Sequence, residues 1–265
     1  MDLAAVHQLC LGEIRSNIAF LTAGLPVRDS AGNIEELSRL FQGLAICHLL
    51  ESLDHGQFRE NLVRSGHARR YFLRSSLEQG NVTSKYLALS RTEALLDTLV
   101  AGDLKLARSI AELSPTEWNP DWEYEDDFCF YNFLQQSILQ ASRDDMAKTL
   151  VRFEAALEGG SSSRLRVLKT LLYNDTDGFE AALTALIEEE QKRMDGTRSS
   201  VVDSKFLFWP RSFVSIEGLA LQRTAELSGL SITREFQMCP ADARLTVVEN
   251  NYRDLFAELD ALLAG

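Results

Sequence analysis

The chain has 265 residues, 45% of them hydrophobic and 25% charged. That is long enough to bury a large core without disulfides or metals and too apolar for a disordered chain. A net charge of −12 has the wrong sign for a protein that coats nucleic acid with its whole surface, and favours basic partners. Only 15 Gly and 5 Pro occur, against the roughly 30 that average usage would give. Few backbone breakers predict long helices.

The first predicted helix runs from Asp2 to Ala23, with Leu3, Val6, Cys10, Ile14, Ile18 and Leu21 recurring at three and four residues. Val27 to Gly32 reads as a loop. A second helix is expected over Asn33 to Leu53, with Asn33 and Glu36 spaced as a capping pair. The third, Gln57 to Leu77, carries Arg59, Arg64, Arg69, Arg70 and Arg74 against one acid, Glu60. The charge balance makes it an internal ion-pair surface, facing the acidic block described below, rather than a nucleic-acid strip. After a loop at Gln79 to Ser84, helices are expected at Ser90 to Ala101 and Asp103 to Leu113.

Ser114 to Asp127 breaks this pattern with two prolines, two tryptophans and a tyrosine. From Thr116 to Phe130 there are six acids and no Lys or Arg. Helices then resume at Asp126 to Ala141, Asp144 to Leu157, Ser163 to Tyr173 and Asp177 to Met194. Gly196 to Ser204 is loop-like, and Phe206 to Pro210 suits a short extended piece. The remaining expectations are a helix at Ser212 to Leu227, an extended connection at Ile232 to Met238 and a last helix at Asn250 to Leu263. The fold class is therefore all-α: an irregular stack of antiparallel helix pairs, helical-repeat-like but without a fixed period. One domain over 1–265 is the simplest division. If it splits, the break at 114 gives sub-lobes 1–113 and 114–265.

Candidate chemistry is sparse. The four cysteines, Cys10, Cys47, Cys129 and Cys239, are far apart in sequence and read as buried thiols of a reducing compartment. The start Met1-Asp2-Leu3 is acidic and the first basic residue is Arg15. No secretory signal or membrane span is expected, and the cytoplasm is the default location. No nucleophile elbow, phosphate-binding loop or dinucleotide fingerprint occurs. His48, Glu51 and His55 share a helical spacing that zinc uses, but leucines crowd the same turns and His55 reads as a helix end. Glu123, Glu125, Asp126 and Asp127 offer oxygen ligands without a calcium-loop glycine. No catalytic residue, metal or cofactor is assigned.

The acidic-aromatic block supports two readings. Glu117, Trp118, Asp121, Trp122, Glu123, Tyr124, Glu125, Asp126 and Asp127 combine ring surface with carboxylates, the chemistry of an interface toward a basic partner. The same residues also suit a helix start, with acids at the positive dipole end and tryptophans filling a core. Further on, Glu217 lies within an apolar stripe and needs a cation. Arg211 or an arginine of the third helix is the expected partner, making Arg211 and Glu217 polar core candidates.

Two stretches, Tyr124-Glu125-Asp126-Asp127-Phe128-Cys129-Phe130-Tyr131 and Phe213-Val214-Ser215-Ile216-Glu217-Gly218-Leu219-Ala220-Leu221, resemble the immunity protein 49 family of bacterial polymorphic toxin systems. Trp122, Tyr124, Asp126, Asp127 and Glu217 match its motif positions, whether they keep the fold or touch a partner. The resemblance implies a non-enzymatic antitoxin that binds a cognate toxin, whose surface is expected to be basic, with neither nucleic acid nor membrane as partner. A toxin acting in the cytoplasm, such as a nuclease, fits that setting. The rival expectation is a helical-repeat adaptor that holds peptides or helices in a groove. The sequence leaves the oligomeric state open.

Overall fold

A computed structural model describes residues 2–23, 27–80, 84–198, 206–244, 252 and 254–256. Its elements, in chain order, are α1 (Leu3–Leu21), α2 (Val27–Ser52), α3 (His55–Glu78), two 3-10 turns (Lys85–Leu87 and Leu89–Arg91), α4 (Glu93–Ala101), α5 (Leu104–Leu113), α6 (Glu125–Ile138), α7 (Arg143–Ala156), α8 (Ser163–Tyr173), α9 (Thr176–Arg198), α10 (Phe208–Arg211), α11 (Ile216–Leu227) and a 3-10 turn at Ala241–Arg244. Among the described residues there is no strand, only an isolated bridge between Phe236 and Cys239. The protein is an all-α stack, as its periodicities predict.

The helix boundaries follow from local chemistry. Asp54 caps α3 by accepting from Gln57 N at 2.9 Å, and Asp103 caps α5 through Leu106 N at 2.9 Å. Ser142, Ser162 and Ser215 accept in the same way at the starts of α7, α8 and α11. Gly102 and Asn174 end α4 and α8 in the left-handed conformation, which stops a helix and turns the chain into the next one. These tight links fold neighbouring helices back on each other. The most extensive contacts are α2 with α3, α1 with α2, α3 with α4, and α8 with α9. The order is not strictly local. α11 packs on α4, α10 on α2, and α6 on the Leu89–Arg91 turn.

Several expectations are corrected. Val27 to Gly32 is the first part of α2 and not a loop, so Asn33 lies inside the helix and caps nothing. Instead its Nδ2 donates to Asn17 Oδ1 of α1 at 3.0 Å. His55 opens α3 rather than closing a helix, because Asp54 supplies a cap just before it. α6 stops at Ile138, followed by Gln140 in the left-handed region (φ 56°). Phe206–Pro210 is no extended piece but leads into α10, where Pro210 is tolerated in a single helical turn. Gly196 is still helical within α9, while residues 199–204 of that expected loop lie outside the described residues, as does most of the expected helix Asn250 to Leu263.

The core is rich in phenylalanine: Phe41, Phe58, Phe128, Phe130, Phe133, Phe153 and Phe179 are among the largest fully buried side chains. All four cysteines are free and buried. Burial pushes the Cys10, Cys47 and Cys239 thiols up to about 12, and Cys129 to about 11. They act as small apolar fillers, not nucleophiles.

α4 and α5 crowd α3 at Gly66. A Cβ there would stand 2.3 Å from Thr98 Cγ2 of α4 and 2.8 Å from Leu106 Cδ2 of α5. Gly66→Ala is therefore expected to destabilise the fold by ~1–3 kcal/mol through overpacking, measured by chemical denaturation.

One buried acid joins three helices beside that point. Asp97 of α4 accepts from Gln42 Nε2 of α2 at 2.7 Å and from Ser65 Oγ of α3 at 2.5 Å. Burial pushes its carboxyl from 3.8 up to about 7, against the pull of both hydrogen bonds. Between those values the folded state holds a proton that the unfolded chain has released. The contribution is complete below the unfolded value and is lost as pH rises through about 7. Asp97→Asn should flatten this pH dependence and raise stability at pH 8 by up to about 3 kcal/mol, read from denaturation midpoints across pH 4 to 8.

Candidate functional site

The loop from Ser114 to Tyr124 is built from its own backbone outward. Gln135 of α6 donates to the carbonyls of Ala111 and Ser114, at 2.8 and 3.3 Å, and so fixes the exit from α5. Asn119 Oδ1 accepts from Asp121 N at 2.9 Å, and the Asn119 carbonyl accepts from Trp122 N at 3.1 Å. These bonds form the turn that Asn-Pro-Asp predicts. Trp118 Nε1 donates to the Glu123 carbonyl at 3.0 Å, closing the loop on itself.

Glu123 ties this loop to the rest of the molecule. Its carboxylate accepts from Leu89 N at 3.1 Å and Ser90 N at 2.7 Å. Opposite it, the fully buried Arg69 of α3 donates to the carbonyls of Tyr86 (2.6 Å) and Ala88 (3.2 Å) and to Thr92 Oγ1 (3.0 Å). Burial lowers Arg69 to about 10, leaving it charged at neutral pH. The 3-10 segment between α3 and α4 is thus held by an arginine on its carbonyls and a glutamate on its amides. The expectation that the arginines of α3 face the acidic block is corrected. Arg64 pairs with Glu60, Arg70 with Asp254 and Arg74 with Glu78, while Arg69 reaches backbone carbonyls and the Thr92 hydroxyl.

The acids at the start of α6 have other partners. Glu125 Oε1 accepts from Arg152 Nε of α7 at 2.7 Å, and the Arg152 guanidinium lies over the rings of Trp118 and Phe128, 5.5 and 5.1 Å from their centroids. Asp127 Oδ1 accepts from Arg164 Nη1 of α8 at 2.8 Å. The same guanidinium grips Glu217 of α11 with two bonds, Nε to Oε1 at 2.8 Å and Nη2 to Oε2 at 2.5 Å. It also sits 4.4 Å from the Phe130 ring centroid.

Burial works against the charge of Arg164, but its bonds to Glu217 and the nearby acids outweigh it and hold the guanidinium above its usual range. Burial raises Asp127, an effect that Arg164 opposes. Glu217 therefore has its cation, yet neither Arg211 nor an α3 arginine supplies it. Arg211 reaches Glu93 instead, at 3.4 Å. Arg164 was hidden in sequence because its partners lie 37 and 53 residues away. A signal existed: a basic residue in the first turn of a helix opposes the dipole, which points to a tertiary carboxylate.

Of the nine candidates in the block, four are held internally: Trp118, Glu123, Glu125 and Asp127. Asp126 is half-buried in the first turn of α6. Glu117 and Asp121 are exposed and make no ion pair among the described residues, and Trp122 is half-buried. Tyr124 is 80% exposed, the highest value among the exposed large hydrophobic side chains. Asp121, Trp122, Glu123, Tyr124 and Asp127 line a cleft of about 470 Å³ together with Arg39, Ser90 and Arg91. Arg91 Nη1 itself donates to both carboxylate oxygens of Glu35, at 2.9 and 3.0 Å.

The zinc spacing does not assemble. Glu51 takes His7 Nδ1 at 2.8 Å, and the His7 ring meets His48 edge-on at 4.6 Å. Among the described residues no group of three or more His, Cys, Asp or Glu is placed to hold a metal, and no helix is long and apolar enough to cross a membrane.

Fold and site together define a helical protein with an acidic, aromatic loop fixed on a charge-paired frame. A family model described as immunity protein 49 matches residues 44–243, most of the chain. The chain belongs to that family and is an immunity protein, a binder of a cognate toxin. No curated protein and no solved structure matches it.

Arg164→Met keeps the side-chain length and leaves Asp127 and Glu217 without their cation. The expected loss is ~2–4 kcal/mol, below the full value of a broken buried pair because Asp127 is 37% exposed. Adding Asp127→Asn and Glu217→Gln should recover at least half of that loss, measured by urea denaturation.

Proposed function

We propose that the protein neutralises its toxin by stoichiometric protein–protein binding, with the loop from Glu117 to Tyr124 as part of the toxin-facing surface. The observation that carries this reading is the division of labour within the loop. Glu123 and Trp118 are spent on holding its shape, while Tyr124, Asp121 and Glu117 point outward with no internal ion pair. A loop ordered before encounter loses little entropy on docking, and an exposed tyrosine among carboxylates is typical hot-spot chemistry.

A net charge of −12 favours a toxin with a basic surface. A nuclease fits, because its cleft is positive for phosphate and a carboxylate-rich loop can fill it. Four free, buried thiols suit a reducing compartment, which supports an encounter in the cytoplasm. The whole chain acts as one unit in this reading, supported by the packing of α11 on α4 and of α6 on the Leu89–Arg91 turn.

The test pairs Asp121→Lys with Tyr124→Ala and leaves the structural Glu123 in place. The double variant should fold normally and bind the cognate toxin at least ~10-fold more weakly, with most of the change from Asp121→Lys in the association rate. Unchanged affinity in calorimetry would remove the loop from the interface.

A further inference from the structure

Arg164 and Glu217 also line a second hollow, of about 160 Å³, together with Glu93, Glu190, Tyr131 and Arg211. Charge in it is unevenly settled. Arg164 divides its guanidinium between Glu217 and Asp127. Arg211 touches Glu93 at 3.4 Å.

Glu190 makes no ion pair among the described residues. Its hydrogen bond comes from the Ser215 hydroxyl at 2.5 Å, and burial pushes its carboxyl up against the pull of that bond and of the nearby Arg193 and Arg164. Tyr131 is only 4% exposed, yet its hydroxyl makes no hydrogen bond among the described residues. The rest of the wall includes Leu96, Val214 and Ile216.

A sequestered carboxylate with no cation in direct contact is costly even with arginines nearby, and a bound cation relieves that cost through a charge-assisted hydrogen bond. We propose that this hollow binds an alkyl cation, a guanidinium or primary ammonium on an aliphatic stem. Its head would rest on Glu190 and the Tyr131 hydroxyl, and its stem would lie along Leu96, Val214 and Ile216. Arg193 and Arg211, which also line the hollow, limit the site to one such head. The site is separate from the toxin-facing loop and does not depend on it.

The probe is agmatine, titrated calorimetrically into the full-length protein. Saturable one-to-one binding is expected. Glu190→Gln, which still accepts from Ser215, should weaken it at least ten-fold, and Asp121→Lys on the surface loop should leave it unchanged. Should Glu190→Gln lower the melting temperature, Tyr131→Phe serves as the second variant, with a loss of at least three-fold. Adding toxin to the agmatine-loaded protein separates the two sources of such a cation. Release assigns the site to an Arg or Lys side chain of the toxin, and retention assigns it to a free small amine or guanidine. The proposal is overturned by no saturable binding up to ~10 mM, by equal binding in both cavity variants, or by propionate binding where agmatine does not.

Discussion

The guanidinium of Arg164 is the point on which the second half of the chain turns. It draws Asp127 at the start of α6 and Glu217 at the start of α11 onto one residue of α8. Three helices that are distant in sequence are thereby fixed at their N-terminal ends, where carboxylates also meet the positive end of the helix dipole. A sequestered charge costs solvation, and this one recovers it only because its bonds run to two acids while its face lies on Phe130. Remove the cation and the two acids are left beside each other.

The loop depends on that hub at one end and on the 3-10 segment at the other. Glu123 reaches back to Leu89 and Ser90, whose segment is held from α3 by Arg69. The structural reading of the acidic block therefore holds for Trp118, Glu123, Glu125 and Asp127. Side chains with internal partners set the geometry. Asp121 and Tyr124, outside that network, are the residues proposed to meet a toxin's basic groups. Long, rigid supports under a short exposed loop suit a protein that works by shape and charge.

The helical fold was legible because its periodicities are long and its breakers few: Ser163–Tyr173 falls where the pattern places it, with Ser162 as cap. Local reasoning failed where tertiary contact overrode it. Val27 to Gly32 looks like a loop by composition, but the helix extends through it, with Ser30 and Ala31 buried. Pro210 suggested extension and instead sits in a single helical turn. At the site, the sequence identified the acidic-aromatic block and the need of Glu217 for a cation. It did not supply the partners. Ion pairs across 37 and 53 residues leave no periodic trace, and the cation is a single arginine of α8 rather than one of the several on α3.

Amide hydrogen exchange across the whole chain, with and without the cognate toxin, tests the central claim most directly. Residues 117–124 should exchange slowly for a surface loop in the free protein and gain the largest protection in the complex. Fast exchange there in both states, with protection confined to another face, would contradict a preformed acidic loop as the surface that meets the toxin.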